Sequence, residues 1–249
     1  MSSILAVLPV YNEEGSIHAL LWNYEKVFLN SLPNLSILIV NDGSKDKTVE
    51  IIKSFQGNIK IDIIDNIENV GLGKVIRQGL IAACDILNQG DIIVTMDGDN
   101  SHLPSLIPDM IKKIELGSDI VIASRYRHGS EIHGLSFFRK LTGFLAGSLF
   151  ILFAHLKGVR DFTCGFRAYK VALLKNGIRH FGSRFIEENG FACMVEILIK
   201  LKLFNPVYSE VPMILRYDLK MGNSKMNILK TIRQTLKILW DYRFSNRFK

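Results

Sequence analysis

Gly90 to Pro104 reads GDIIVTMDGDNSHLP, and this stretch decides the fold. After Asp91 comes a β-branched apolar run, Ile92-Ile93-Val94-Thr95-Met96, short enough to be a buried strand. At its end stand Asp97 and Asp99, one residue apart, followed by Asn100, Ser101 and His102. Carboxylates at the carboxyl end of a buried parallel strand lie where open α/β sheets bind ligands. Like charges that close repel unless a proton or cation sits between them, and a hard divalent ion shared with a phosphate resolves that repulsion. A solvated Asp-Gly-Asp turn reads equally well from this stretch alone.

Working outward, the same strand-then-polar-exit grammar recurs. Residues 3–10 (SILAVLPV) form a first strand leaving into Tyr11-Asn12-Glu13-Glu14-Gly15, and Ile17, Leu20, Leu21, Tyr24, Val27 and Phe28 then share one helical face. Leu35 to Val40 is a second strand, with the turn Asn41-Asp42-Gly43-Ser44 at its exit and Asp46 able to cap a helix carrying Val49, Ile51, Ile52 and Phe55. Ile59 to Ile64 reads as a third strand, Asn66 to Gly71 as its loop, and a helix runs to about Asn88. Pro104 opens another helix and Asp119 to Ala123 makes a fifth strand. Strands alternating with helices specify an α/β fold with a mostly parallel sheet.

Beyond Ser124 the pattern changes. Arg125 to Ser130 is a polar loop, Leu135 to Leu156 a Phe- and Leu-rich helical stretch, and Asp161 to Arg167 a loop followed by two helical segments. Tyr208 to Leu215 reads as one short strand. In the tail, Ile228, Leu229, Ile232, Leu236, Leu239 and Trp240 fall on one helical face, with Lys230, Arg233 and Lys237 mostly elsewhere. Such a basic amphipathic helix can lie on an anionic membrane surface or pack on the sheet with its basic face in solvent.

Charge is concentrated there. Residues 219–249 hold eight basic residues against Asp241, so they carry the whole net charge of +7. A nucleic-acid protein spreads basicity over a binding face, so none is expected as a partner. With 249 residues and 48% hydrophobic content the chain can bury a large core. Cys84, Cys164 and Cys193 have no metal-ligand spacing and read as free thiols in a reducing compartment. MSSILAVLPVYNEE lacks the basic start of a signal peptide, and the uncharged run Leu141 to Leu156 falls short of the roughly 20 residues needed to span a bilayer.

Several familiar motifs fail on inspection. Gly71-Leu72-Gly73 has Ile76 where a dinucleotide fingerprint needs its third glycine, and Gly73-Lys74 is followed by Val75 rather than a P-loop Ser or Thr. As a calcium loop, Asp97 to Pro108 puts His102 at the required glycine and Pro108 at the closing glutamate. A haloacid-dehalogenase-type aspartyl nucleophile belongs on a first strand, and this motif sits on the fourth.

Taken together, Pro9 to Glu14, Asn41 to Ser44 with Asp46 and Thr48, Asn69 to Gly73, Asp97-Gly98-Asp99, Ser124-Arg125-Tyr126, Thr163 to Arg167 and Gly222-Asn223-Ser224-Lys225 occur in an order that resembles family 2 of the nucleotide-sugar glycosyltransferases. The branch it looks most like contains dolichol-phosphate mannose synthase and bacterial polyprenyl-phosphate glycosyltransferases. The resemblance implies the GT-A fold, a Rossmann-like sheet over residues 1–218 followed by a basic closing loop and amphipathic helix over 219–249. It implies that Pro9, Tyr11, Glu13, Val40, Asp42, Gly73 and Gly98 bind the nucleotide sugar, with Asn41 structural. By the same resemblance Asp97 and Asp99 hold Mg²⁺ or Mn²⁺ against the diphosphate. Arg125, Arg216 and Lys225 would reach phosphates; Arg139 and Thr142 would meet an acceptor phosphate. Ser101 replaces the amide side chain some relatives use at the metal, and His102 reads as structural or capping. Asp161 and Arg167 would either bind sugar hydroxyls or pair with each other.

The implied reaction moves a hexose from a nucleoside-diphosphate sugar to a polyprenyl phosphate, with the enzyme on the cytoplasmic face of a membrane as a peripheral protein. An anionic acceptor needs no carboxylate base, whereas an alcohol does. The Q-x-x-R-W motif of processive polysaccharide synthases is missing, since Gln234 and Trp240 are wrongly spaced for it. Two alternatives stay open: transfer to a saccharide hydroxyl with Glu187 or Glu188 as base, and a non-catalytic membrane-bound module.

Overall fold

A computed structural model describes residues 2–134, 156–219 and 228–244. The expected helix over Leu135 to Leu156, with Arg139 and Thr142, and the loop holding Lys225 lie outside the described residues, apart from Leu156 itself.

The apolar runs become the centre of the sheet. β1 (Ile4–Val10), β2 (Leu35–Asn41) and β4 (Ile92–Thr95) are almost wholly buried, as expected for strands covered on both faces. β3 (Ile61–Asp65) is half-buried and completes a parallel set in the order β3-β2-β1-β4. It starts later than the sequence reading put it, because Ile59 lies in the preceding loop. Glu25 fixes that loop: its buried carboxylate accepts the backbone N–H groups of Asn58 and Ile59 and the Asn58 side-chain amide.

Helices α1 (Ile17–Asn30), α2 (Thr48–Lys53) and α3 (Leu72–Ile86) connect these strands, and a 3₁₀ turn from Pro104 leads into α4 (Ile107–Glu115). On α1 the predicted face is the buried one, with Ile17, Leu20, Leu21, Tyr24 and Val27 inside and Phe28 partly so. Full burial of each such side chain contributes roughly 1.5–3 kcal/mol. β5 (Ile120–Ser124) is parallel to β4 but not beside it. Between them lies β7 (Arg167–Lys170), antiparallel to both. This strand corrects the reading of a loop running straight into helices. Four residues beginning and ending in a cation carry no strand-like alternation, and only tertiary pairing makes them one.

α5 (Val171–Phe181) and α6 (Cys193–Leu201) follow. The single strand expected at Tyr208 to Leu215 is two. β8 (Tyr208–Pro212) forms the sheet edge next to β5, and β9 (Ile214–Arg216) pairs with β6 (Glu131–His133) in a separate two-stranded sheet. Pro212 ends the first, since it has no N–H to continue a ladder. The three cysteines are buried and unbridged.

α7 (Ile228–Phe244) packs on α6. The apolar face drawn from sequence divides. Leu239 is buried together with Thr235 and Ile238, while Ile232, Leu236 and Trp240 are exposed. Among the described residues no helix is long and apolar enough to cross a membrane.

Candidate active site

Every loop singled out by sequence leaves the sheet at one end. β1, β2, β4 and β5 run in one direction, and antiparallel β7 therefore begins where they finish. That brings together Pro9 to Glu14, Asp42, Asp97 to Ser101, Arg125 and the segment Asp161 to Arg167.

The first two loops are zipped to each other. Asn12, in the left-handed region at φ 51°, donates its N–H to Ser44 Oγ (2.9 Å) and accepts from Lys45 N–H (2.8 Å). Glu13 N–H donates to Thr48 Oγ1 (2.8 Å) and Glu14 N–H to Asp46 (3.1 Å). Asp46 also accepts the N–H of Thr48, the first residue of α2. Asn41 holds Asp65 through its amide and accepts from both donors of Ser44. Val40 is fully buried and faces α3 at Gly79, so its side chain belongs to the core rather than to a ligand contact.

Asp42 points inward at the third loop. Its carboxylate accepts the N–H groups of Val70 (2.6 Å) and Gly71 (3.2 Å). Burial pushes its pKa up from the ordinary carboxylate value, and those two hydrogen bonds offset only part of that. From the other side, Gly73 donates its N–H to Asn189 O (3.0 Å). A Cβ on Gly73 would stand 1.7 Å from Glu188 O, so only glycine lets these backbones meet.

Sequence put Glu187 and Glu188 forward only as alternative bases, without showing what holds their segment. Buried Glu196 on α6 accepts the N–H groups of Glu187 and Glu188 (2.9 Å each) and pairs with buried Lys200 (2.6 Å). Lys200 also meets Glu187 Oε2 (3.0 Å) and the carbonyl of Arg184. Gln234 of α7 donates to Glu188 Oε2 (2.9 Å). The one sequence signal was the Glu196/Lys200 spacing of four on an otherwise apolar helix.

At the end of β4, Gly98 lets the loop close onto β1: a Cβ there would lie 2.5 Å from Val10 Cγ1 and 2.8 Å from Pro9 O. Thr95 Oγ1 donates to Gly165 O (2.7 Å), and Gly165 leaves room beside Asp97 Oδ1. The Asp97 side chain is about a third exposed (32%), whereas Asp99 is buried. Ser101 donates both its N–H (3.1 Å) and its O–H (2.6 Å) to Asp99 Oδ1, so it orients that carboxylate instead of extending a donor set. Buried His102 places Nδ1 3.9 Å from Asp97 Oδ2, and this nitrogen makes no hydrogen bond among the described residues. No group of three or more His, Cys, Asp or Glu that could hold a metal gathers among the described residues. The donor set is thus two hard carboxylates, one partly exposed and one buried, a ligand type that fits Mg²⁺ or Mn²⁺ with phosphate and water oxygens completing the shell.

Arg125 departs from expectation. Its Nε and Nη2 grip Asp161 at 2.7 and 2.6 Å, Nη2 also reaches Thr163 Oγ1 (2.6 Å), and its N–H donates to Asp161 (3.0 Å). The fork read as a phosphate clamp is closed on a protein carboxylate. Burial works against both charges, but the pairing wins, holding Asp161 below the ordinary carboxylate range and Arg125 firmly protonated. Arg167 does not pair with Asp161. It is fully buried and donates to the carbonyls of Met194 (2.6 Å) and Phe162 (2.8 Å). Arg216 comes to the site by its backbone, donating its N–H to Ser101 O (2.9 Å), while its guanidinium pairs with Asp218.

Residues 5–178, well over half the chain, match the sequence profile of glycosyl transferase family 2. The chain belongs to this family. Among curated relatives, a dolichol-phosphate mannosyltransferase of Pyrococcus furiosus is 30% identical over 214 residues, covering 84% of this chain and 55% of its own. An uncharacterized protein of Methanocaldococcus jannaschii, MJ0544, is 32% identical over 198 residues, 76% of this chain and 80% of that one. The chain thus spans little more than half of the Pyrococcus relative. Among solved structures, glucosyl-3-phosphoglycerate synthase of Mycobacterium tuberculosis, in complex with Mn²⁺, uridine diphosphate and glucosyl-3-phosphoglycerate, aligns with a TM-score of 0.68 at 18% identity, over 97% of this chain and 80% of its own. The same enzyme with Mg²⁺ and uridine diphosphate aligns at 0.65. The family 2 glycosyltransferase has the GT-A fold.

Proposed function

We propose that this family 2 protein transfers a hexose from a nucleoside-diphosphate sugar to a polyprenyl phosphate at a membrane surface. The observation that carries the reading is the Asp97-Gly98-Asp99 turn at the end of β4, flanked by the interlocked loops of β1 and β2. Pro9, Tyr11, Glu13 and Asp42 bind the nucleoside, and the 69–73 loop, stretched between Asp42 and Asn189, shapes the wall around it. Asp97 and Asp99 hold Mg²⁺ or Mn²⁺, which when bound neutralises charge on the leaving diphosphate. Arg125 acts through Asp161, keeping the Ser124–Arg125 strand end rigid beside the sugar. Arg216 and Lys225 close on the phosphates, and Arg139 and Thr142 receive the acceptor phosphate.

In the reaction, an acceptor phosphate oxygen forms a bond to the anomeric carbon while the bond from that carbon to the diphosphate oxygen breaks. The configuration inverts, and a nucleoside diphosphate leaves. Two observations favour a phosphate over an alcohol acceptor. Glu187 is held by Lys200 and Glu188 by Gln234, so both carboxylates weighed as bases are engaged. The relative from Pyrococcus is named for a dolichol phosphate acceptor. The exposed stripe Ile232, Leu236 and Trp240, beside Arg233 and Lys237 on α7, supports a peripheral membrane contact.

The test is incubation of the protein with radiolabelled GDP- and UDP-sugars, polyprenyl phosphate and Mg²⁺ or Mn²⁺, followed by lipid extraction. A labelled lipid product with one donor is expected. If no donor labels lipid while a soluble sugar acceptor is glycosylated, the lipid acceptor is wrong.

A further inference from the structure

A second basic site lies at the edge of the sheet. A cavity of about 440 Å³ is lined by Lys113 of α4, Arg127 and His128 of the loop after β5, Arg160, and Tyr208, Ser209, Glu210 and Pro212 of β8. None of Asp97, Asp99 or Arg125 lines it among the described residues. Three permanent cations face this space against one carboxylate, and that carboxylate is already committed. Glu210 is buried, and its Oε1 accepts the N–H groups of Arg160 (2.6 Å) and Asp161 (2.8 Å). Its Oε2 faces Arg127 Nε at 2.9 Å, yet neither atom completes a hydrogen bond among the described residues. Arg127 donates Nη2 to Gly158 O (3.2 Å) but leaves Nε without a completed hydrogen bond among the described residues, and Lys113 and Arg160 bring two further charges without an acid of their own in the cavity.

Cations converging on one concave space repel one another unless an anion joins them, and guanidinium groups favour the planar oxygen pairs of a phosphate. We propose that this cavity is a binding site for a phosphate monoester, held by Arg127, Arg160 and Lys113 with Ser209 as a neutral donor. The site communicates with the sugar-nucleotide end of the sheet through one residue. Glu210 holds the N–H of Asp161, and Asp161 holds Arg125. An anion that draws Arg127 away from Glu210 therefore acts two contacts from Arg125. The proposal stands apart from the transferase reading, because Asp97, Asp99 and Arg125 do not line this cavity among the described residues and the two can fail separately.

Isothermal titration with inorganic phosphate at constant ionic strength tests it. Arg127 supports a buried carboxylate and its loss would unsettle the fold, so the variants are Lys113→Gln and Arg160→Gln, both at exposed positions. Thermal unfolding checks that each remains folded. Saturable binding by the wild-type chain is expected, kept in Asp97→Asn and weakened about tenfold in Arg160→Gln, as befits loss of one charge-assisted contact. Co-sedimentation with phosphatidylcholine vesicles with and without phosphatidic acid identifies the source. Pelleting that needs phosphatidic acid and Arg160 assigns a lipid headgroup, and phosphate binding without pelleting assigns a soluble ligand. Absence of saturable binding, binding unchanged in both variants, or binding lost in Asp97→Asn would overturn the site.

Discussion

Arg125 and Asp161, 36 residues apart, are joined by two near-parallel N–H···O bonds of 2.7 and 2.6 Å at the rim of the candidate active site. Asp161 is fully buried and Arg125 mostly so, with 23% of its side chain exposed. Breaking such a pair leaves an uncompensated charge, which costs more than the pair itself contributes. Asp161→Asn is expected to destabilise the chain by about 3 kcal/mol, read from the midpoint of urea unfolding. Adding Arg125→Met should recover part of that loss. A double variant as unstable as the single losses combined would show that the two residues act independently.

The same carboxylate sets an acid limit. Asp161 titrates below its ordinary range, so between its folded and unfolded pKa values the unfolded chain binds the extra proton. Its contribution is fully present above the ordinary carboxylate range and is lost as pH falls through and below it. Asp42 has the opposite sign. Burial raises it, the folded chain binds the proton first, and its term favours the fold as pH falls. Unfolding followed from pH 7 downward should therefore steepen in Asp42→Asn and flatten in Asp161→Asn. Parallel curves for both variants would contradict these environments.

How much of this was legible beforehand follows from the range of each interaction. β1, β2 and β4 announced themselves as apolar runs, and the turns after them by composition, because both signals are local. β7 did not, since Arg167-Ala168-Tyr169-Lys170 becomes a strand only between β4 and β5. Asp97 and Asp99 were readable as an adjacent pair of acids. The partners of Arg125 and Arg167 were not: a buried arginine looks in sequence like one waiting for a ligand, and its acceptors are a distant carboxylate in one case and carbonyls in the other. The apolar face of α7 was drawn too broadly because helical periodicity marks positions without saying which side meets the domain.

Asp97 offers the cleanest test of the chemistry. A third of its side chain is exposed, so Asp97→Asn should leave thermal stability within about 0.5 kcal/mol. Turnover in the labelled-sugar assay should fall roughly 100-fold, and chelation of divalent metal from the wild type should have a similar effect. Asp99→Asn differs, because Asp99 is buried and takes both donors of Ser101. It should lose stability as well as activity. An Asp97→Asn protein with unchanged turnover would remove this residue from the active site.

Gly73 ties the 69–73 loop to the 187–190 segment. The backbone carbonyl of Glu188 occupies the place of its missing side chain, 1.7 Å from an ideal Cβ, and no rotamer can relieve a clash with backbone. Gly73→Ala must therefore move the 187–190 segment, which Glu196 holds by two N–H bonds, or move the loop itself, which Asp42 holds by Val70 and Gly71. Overpacking of this kind costs about 1–3 kcal/mol. Both routes disturb the loop proposed to wall the nucleotide sugar, so donor affinity should fall together with stability in a thermal-shift titration with nucleotide sugars. Gln234→Ala, which releases only the Glu188 side chain, should weaken donor binding far less. If Gly73→Ala bound donor as tightly as the wild type, the 69–73 loop would have to be struck from the site.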